Sequence, residues 1–124
     1  MSELEHFEIV DDHAEYRPIG QVSLDQMVQL VKSAIAFAQE QHIEKLLAVA
    51  SELTGFKSPS LITRYDAIRE WAKASGNVVR VALVARPEMI DPQRFGVTVA
   101  GNLGFIADVF VSEDEALAWL QRIN

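Results

Sequence analysis

The run Leu46-Leu47-Ala48-Val49-Ala50 (LLAVA) is apolar at every position, and Val78 to Ala85 (VVRVALVA) repeats the pattern, broken only by Arg80. Runs of this length suit strands better than helices, and a strand without polar alternation is covered on both faces. Such strands belong to parallel sheets flanked by helices. What lies between them agrees. Ser58-Pro59 reads as a helix start, with Ser as cap and Pro at the first helical position, where its missing amide does no harm. Leu61, Tyr65, Ile68 and Ala72 give that helix a buried face, and Gly76-Asn77 ends it.

Upstream, Ser23-Leu24-Asp25-Gln26 is a capping box. Leu24, Met27, Val28, Val31, Ala34, Ile35 and Ala38 follow at three- and four-residue spacing, an amphipathic helix running to about His42. Before it, His6 to Val10 alternates as a half-buried strand, Asp11-Asp12 turns, and Ala14 to Val22 makes a second extended run marked by Pro18 and Gly20. The pair reads as an antiparallel hairpin. Downstream, the two glycines and β-branched residues of Phe95 to Gly101 favour a strand by propensity. The Asp91-Pro92 start signal and the four-residue spacing of Phe95, Val99 and Leu103 favour a helix, which is the reading adopted. Phe105 to Val111 is the last strand. Ser112-Glu113-Asp114-Glu115 caps a final helix striped by Ala116, Leu117, Leu120 and Ile123. The order is β-β-α-β-α-β-α-β-α, a single α/β domain over residues 1–124 with a mixed sheet flanked by helices.

Composition narrows the function classes. With 124 residues, 49% of them apolar, the chain can build one core unaided. No cysteine is present, which removes disulfides, thiolate metal sites and a Cys nucleophile. Met1 to Glu15 carries six carboxylates and no Lys or Arg, the reverse of a secretion signal, and no apolar run nears the ~20 residues of a membrane span. A cytoplasmic location is expected. The net charge of −7, without a Lys/Arg cluster, disfavours nucleic acid.

Three stretches carry a family resemblance: LTGFKSPSLITRYDAIREWA (Leu53 to Ala72), VALVARPEMIDPQRFGVTVAGNLG (Val81 to Gly104) and VFVSEDEALAWL (Val109 to Leu120). They, and the element order, resemble the SpoIIAA-like family of small bacterial proteins, grouped with STAS and CRAL-TRIO (lipid-transfer) domains. The resemblance implies a STAS-like fold, a regulatory role through a protein partner as in anti-sigma factor antagonists, or carriage of a small anionic or lipid ligand; pairing as a homodimer is a further implication. Antagonists of that type open the helix after the third strand with an Asp-Ser pair whose Ser is phosphorylated. Here the loop reads Thr54-Gly55-Phe56-Lys57-Ser58-Pro59-Ser60, without that pair, and Ser58 and Ser60 stand in roughly its place.

In a parallel α/β sheet, ligands bind outside the carboxyl ends of the strands. The loops Glu52 to Ser60 and Arg86 to Asp91 meet that description. Thr54, Gly55, Phe56, Ser58, Ser60, Arg64 and Arg86 are therefore the candidate ligand- or partner-binding residues, with Ser58 and Ser60 the candidate phosphorylation sites. Each has a plainer reading: Ser58 as a helix cap, Gly55 as a turn residue, Arg64 as a solvated side chain without a carboxylate three or four residues away, Arg86 as a strand end. Catalytic constellations are missing. His6, His13 and His42 lack metal-ligand spacing, and the two hairpin histidines read as exposed. There is no phosphate loop or nucleophile elbow, and Trp71 and Trp119 read as packing residues. The chain reads as a non-enzymatic domain that needs no cofactor.

Overall fold

The computed structural model describes residues 5–122. Strands β1 (Phe7–Val10) and β2 (His13–Tyr16) form the expected hairpin, tightly turned at Asp11, where the backbone enters the left-handed region. β2 is followed by β3 (Gly20–Gln21), α1 (Leu24–Glu40), β4 (Lys45–Val49), β5 (Leu53–Thr54), α2 (Leu61–Ser75), β6 (Arg80–Val84), a short 3-10 turn at Pro87–Met89, α3 (Phe95–Asn102), β7 (Ala107–Phe110) and α4 (Glu113–Arg122). The main sheet runs β1-β2-β4-β6-β7, antiparallel only at the hairpin. This is the α/β architecture expected from the apolar strands, and Phe95 to Gly101 is helical as read.

Residues alternate across the sheet because successive side chains of a strand point to opposite faces. Leu46 and Ala48 of β4, with Val81 and Leu83 of β6, pack beneath α1, α2 and α3. Leu47, Val49, Ala82 and Val84 pack beneath α4, against Ala116 and Leu120. Each buried Leu or Val contributes about 1.5–3 kcal/mol relative to exposure. α1 begins on the capping box: Ser23 Oγ accepts the Gln26 amide at 3.1 Å, and Gln26 Oε1 accepts the Ser23 amide at 2.8 Å. α2 docks on α1 through Trp71, which is buried and donates its indole N–H to Val28 O at 3.0 Å.

Five expectations need correction. The extended run Ala14–Val22 splits, because Pro18 lacks a ladder donor; its far part, β3, leaves the main sheet and pairs with β5 in a two-stranded parallel sheet of its own. α2 is capped by Ser60, not Ser58: Ser60 Oγ accepts the Thr63 amide at 3.2 Å, and Pro59 precedes the helix. The buried face of α2 is Ala67, Trp71 and Ser75, whereas Leu61 and Tyr65 are exposed. Two adjacent apolar stripes compete on this helix, and the bulk of Trp71 decides between them. α3 starts at Phe95, three residues beyond Pro92, and its cap position is Arg94, not Asp91, although Asp91 Oδ2 still accepts the Phe95 amide at 2.8 Å. Finally, His13 is buried, not exposed; its Nε2 lies 2.9 Å from Glu15 Oε2.

Candidate functional site

On the three-helix face the sheet and its helices do not close completely. A partly open cavity of about 120 Å³ lies between β6, β7 and the residue that follows β4 below, and α1, α2 and α3 above. It exists because small residues stand where bulk would be needed: Ala50, Ala85 and Ala107 at the strands, and Gly96 on α3. Its walls are otherwise apolar, with Val28, Ala67, Ile68, Trp71, Leu83 and Phe105 prominent. Its rim reaches both loops expected at the carboxyl ends of the strands, through Phe56 and Pro59 from one and Arg86, Met89, Ile90 and Asp91 from the other.

Of the seven candidate residues, the structure brings Phe56, Arg64 and Arg86 to this cavity. Ser58 stands one bond behind it, accepting a hydrogen bond from Arg64 Nη2 at 3.1 Å. Ser60 is the helix cap and also donates to Thr63 Oγ1 at 3.0 Å. Both serines are exposed. Thr54 belongs to β5, where its carbonyl accepts the Val22 amide at 2.8 Å. Gly55 serves the turn: its φ is +100°, and a Cβ there would come within 2.6 Å of Val22 O. Thr54 and Gly55 thus hold the small sheet and take no part in the cavity wall.

Arg64 is part-buried and pairs with no carboxylate. Its guanidinium bridges the two loops, Nη1 donating to Met89 O at 3.2 Å and Nη2 to Ser58 Oγ and to Pro59 O at 3.4 Å. All three acceptors are neutral. The buried Nε has no partner, and among the described residues no ion pair neutralises the side chain. A part-buried cation without a counter-ion beside an apolar cavity favours an anionic acceptor.

The other charged groups at the rim are differently placed. Arg94 pairs with Asp108 across the α3–β7 side. It adopts the left-handed conformation at φ 56°, a cost of roughly 1–2 kcal/mol for a non-glycine residue. Asp91 is engaged by the Phe95 amide at the start of α3. Arg86 has a loose partner, Glu88 at 3.5 Å, which is itself 61% exposed. Sequence reading missed Met89, Arg94, Asp108, Trp71 and Phe105 as parts of one site. The signal it could have used is the small residue at corresponding strand ends, Ala50 and Ala85, which announces a gap rather than a packed layer.

The described residues hold no group of three or more His, Asp or Glu side chains placed for a metal ion, and none of their helices is long and apolar enough to cross a membrane. No family model and no curated protein matches the sequence. Several solved structures resemble the chain, among them these two. The anti-sigma factor antagonist SpoIIAA in its unphosphorylated form is 17% identical, with 94% of this chain and 97% of that one covered at a TM-score of 0.47. The NMR structure of the protein TM1081 is 18% identical, with 99% of this chain and 92% of that one covered at a TM-score of 0.51. Such identities speak to fold alone, and the fold is the STAS-like mixed sheet expected from the order of strands and helices.

Proposed function

We propose that this chain is a non-enzymatic binding domain that holds a small molecule with an apolar body and an anionic head in the cavity beneath α1, α2 and α3. The observation that carries this reading is Arg64: a guanidinium at the rim of an apolar cavity, held by neutral acceptors only and without an ion pair among the described residues. Sites for small ligands are typically concave and apolar with a few placed polar groups, and this cavity has that character. Native mass spectrometry of the protein purified from its own host tests it. Retention of a non-covalent small mass is the expected result; a bare chain, under conditions that preserve other weak complexes, counts against it.

A second reading is a regulatory domain that binds a protein partner, favoured by one feature of α2. Its outer surface exposes Leu61, Ile62 and Tyr65 together, Ile62 to 76%, beside the loop that carries Ser58 and Ser60. Contiguous exposed apolar side chains mark interaction surfaces more often than single ones do. Phosphorylation of Ser58 or Ser60 would place a dianion next to this surface and, at Ser58, against Arg64. The expected result is stoichiometric capture of one partner by the wild-type chain, lost on Ile62→Asp with the circular dichroism unchanged. Capture that survives Ile62→Asp moves the interface off this helix.

A further inference from the structure

One side of the cavity mouth is the segment Arg86 to Arg94, which joins β6 to α3 and lends Met89, Ile90, Asp91 and Arg94 to the lining. It belongs to neither sheet. Its backbone hydrogen bonds are local, from the Met89 amide to Arg86 O, from Ile90 to Pro87 O and from Arg94 to Asp91 O, and none of its residues is buried. Segments with exposed local hydrogen bonds and little burial open at low free energy.

Two fastenings hold this segment to its surroundings. Arg64 Nη1 donates to Met89 O at 3.2 Å, while Nη2 of the same guanidinium holds Ser58 Oγ and Pro59 O on the loop across the mouth. One side chain thus clasps both sides of the opening. The second fastening is the ion pair of Arg94 with Asp108. Asp108 is a fixed anchor on β7, its Oδ1 also accepting the Val109 amide at 2.7 Å. Arg94 is left-handed while so held. A non-glycine residue keeps that conformation only where its surroundings enforce it, and such residues gather at ligand clamps and switches. Breaking the ion pair frees Arg94 to relax and the segment to swing. We propose that Arg86–Arg94 is a lid over the cavity, closed by the Arg64 clasp and the Arg94–Asp108 latch, which swings about Arg94 to admit and release the ligand. This step rests on the ligand-binding reading above. An apolar body in the cavity gives Met89 and Ile90 a surface to pack on, so occupancy favours the closed lid.

Hydrogen exchange of the full chain, read by mass spectrometry with and without anilinonaphthalene sulfonate, tests this; the probe has an apolar body and an anionic head. Peptides within 86–94 should exchange about tenfold faster than those of β6, and about threefold more slowly once the probe saturates. Asp108→Asn keeps an oxygen for the Val109 amide but breaks the latch. It should speed exchange in 86–94 about threefold, leave β6 unchanged, and raise both the association and dissociation rates of the probe in stopped-flow fluorescence. Arg94→Gln should do the same from the other side of the pair. Exchange in 86–94 indifferent to both variants, or unaltered by bound probe, overturns the lid and leaves the ligand-binding cavity in place. A probe that does not bind, or binds Ala107→Leu as well as wild type, overturns the ligand-binding reading and the lid with it.

Discussion

On one face of the sheet Leu47, Val49, Ala82 and Val84 meet a single helix, α4; on the other, Leu46, Ala48, Val81 and Leu83 meet three. The strands are the same and the residues alternate, so composition alone does not separate the two faces. What separates them is fit. On the α4 face small meets small, Ala116 and Ala82 both fully buried, with Leu120 filling the remaining volume. On the other face the small residues Ala50, Ala85, Ala107 and Gly96 border a gap between helices. One face is a packed layer and the other has a receptacle, and an apolar strand sequence accommodates either.

The largest effect that can test this contrast is truncation on the packed face. Leu120→Ala removes a side chain with no exposure and should cost about 2–5 kcal/mol in urea denaturation, because the rigid surroundings collapse only in part. Ile68→Ala, at the part-buried cavity wall, should cost clearly less. Comparable losses would mean that the two faces pack alike.

Enlargement gives the reverse test. Ala82→Leu forces extra volume into a filled layer and should destabilise by about 1–3 kcal/mol. Ala107→Leu, which grows into the cavity, should leave the denaturation midpoint nearly unchanged. If both variants lose the same stability, the cavity is not a usable space.

A third test uses pH at the polar margin of the α4 face, where Arg17 links Glu15 of β2 to Glu113 at the start of α4. The hydrogen bond from His13 holds the Glu15 carboxyl below its ordinary value; burial opposes the shift and Arg17 adds to it. A depressed folded-state value means the stabilisation is present above the unfolded value of about 4.3 and is lost as pH falls through the folded value. Thermal melts between roughly pH 5 and 3 should therefore show a steeper fall for wild type than for Glu15→Gln. Parallel curves would place the acid-sensitive groups elsewhere.

The smallest expected effect is a gain. At Gly96 an added Cβ would lie 3.6 Å from Arg64 Cδ and 3.7 Å from Ile68 Cδ1, ordinary contact distances. Gly96→Ala should stabilise α3 by about 0.5–1 kcal/mol, read as a raised melting temperature. A loss would show that the cavity wall cannot yield even this much.

The sequence carried the fold because its signals are local and mutually consistent. The Ser23 capping box, the apolar runs at Leu46 and Val81, and the helix ending at Gly76 act within a few residues of themselves, and each specifies the element that formed. Reading failed where the deciding partner is remote. Pro18 and Gly20 marked an irregularity, yet only the 52–54 segment, far along the chain, determines that β3 leaves the main sheet. Leu61 and Tyr65 looked as fit for burial as Ala67 and Trp71 until Val28 O accepted the indole N–H.

The candidate site divides along the same line. The two loops could be named from strand order, because the carboxyl ends of parallel strands lie together by topology. The role of Arg64 could not, since its acceptors Ser58 and Pro59 lie five or six residues away and Met89 lies 25 away. A side chain three and four residues distant along a helix is predictable from spacing; a loop carbonyl folded back across a sheet is not. Strand order, helix ends and the burial of the central strands were thus set by the sequence through short-range physics. The cavity, its orphaned guanidinium N–H and the choice between two stripes of α2 were decided by tertiary packing, where volumes and acceptors from distant segments must be satisfied together.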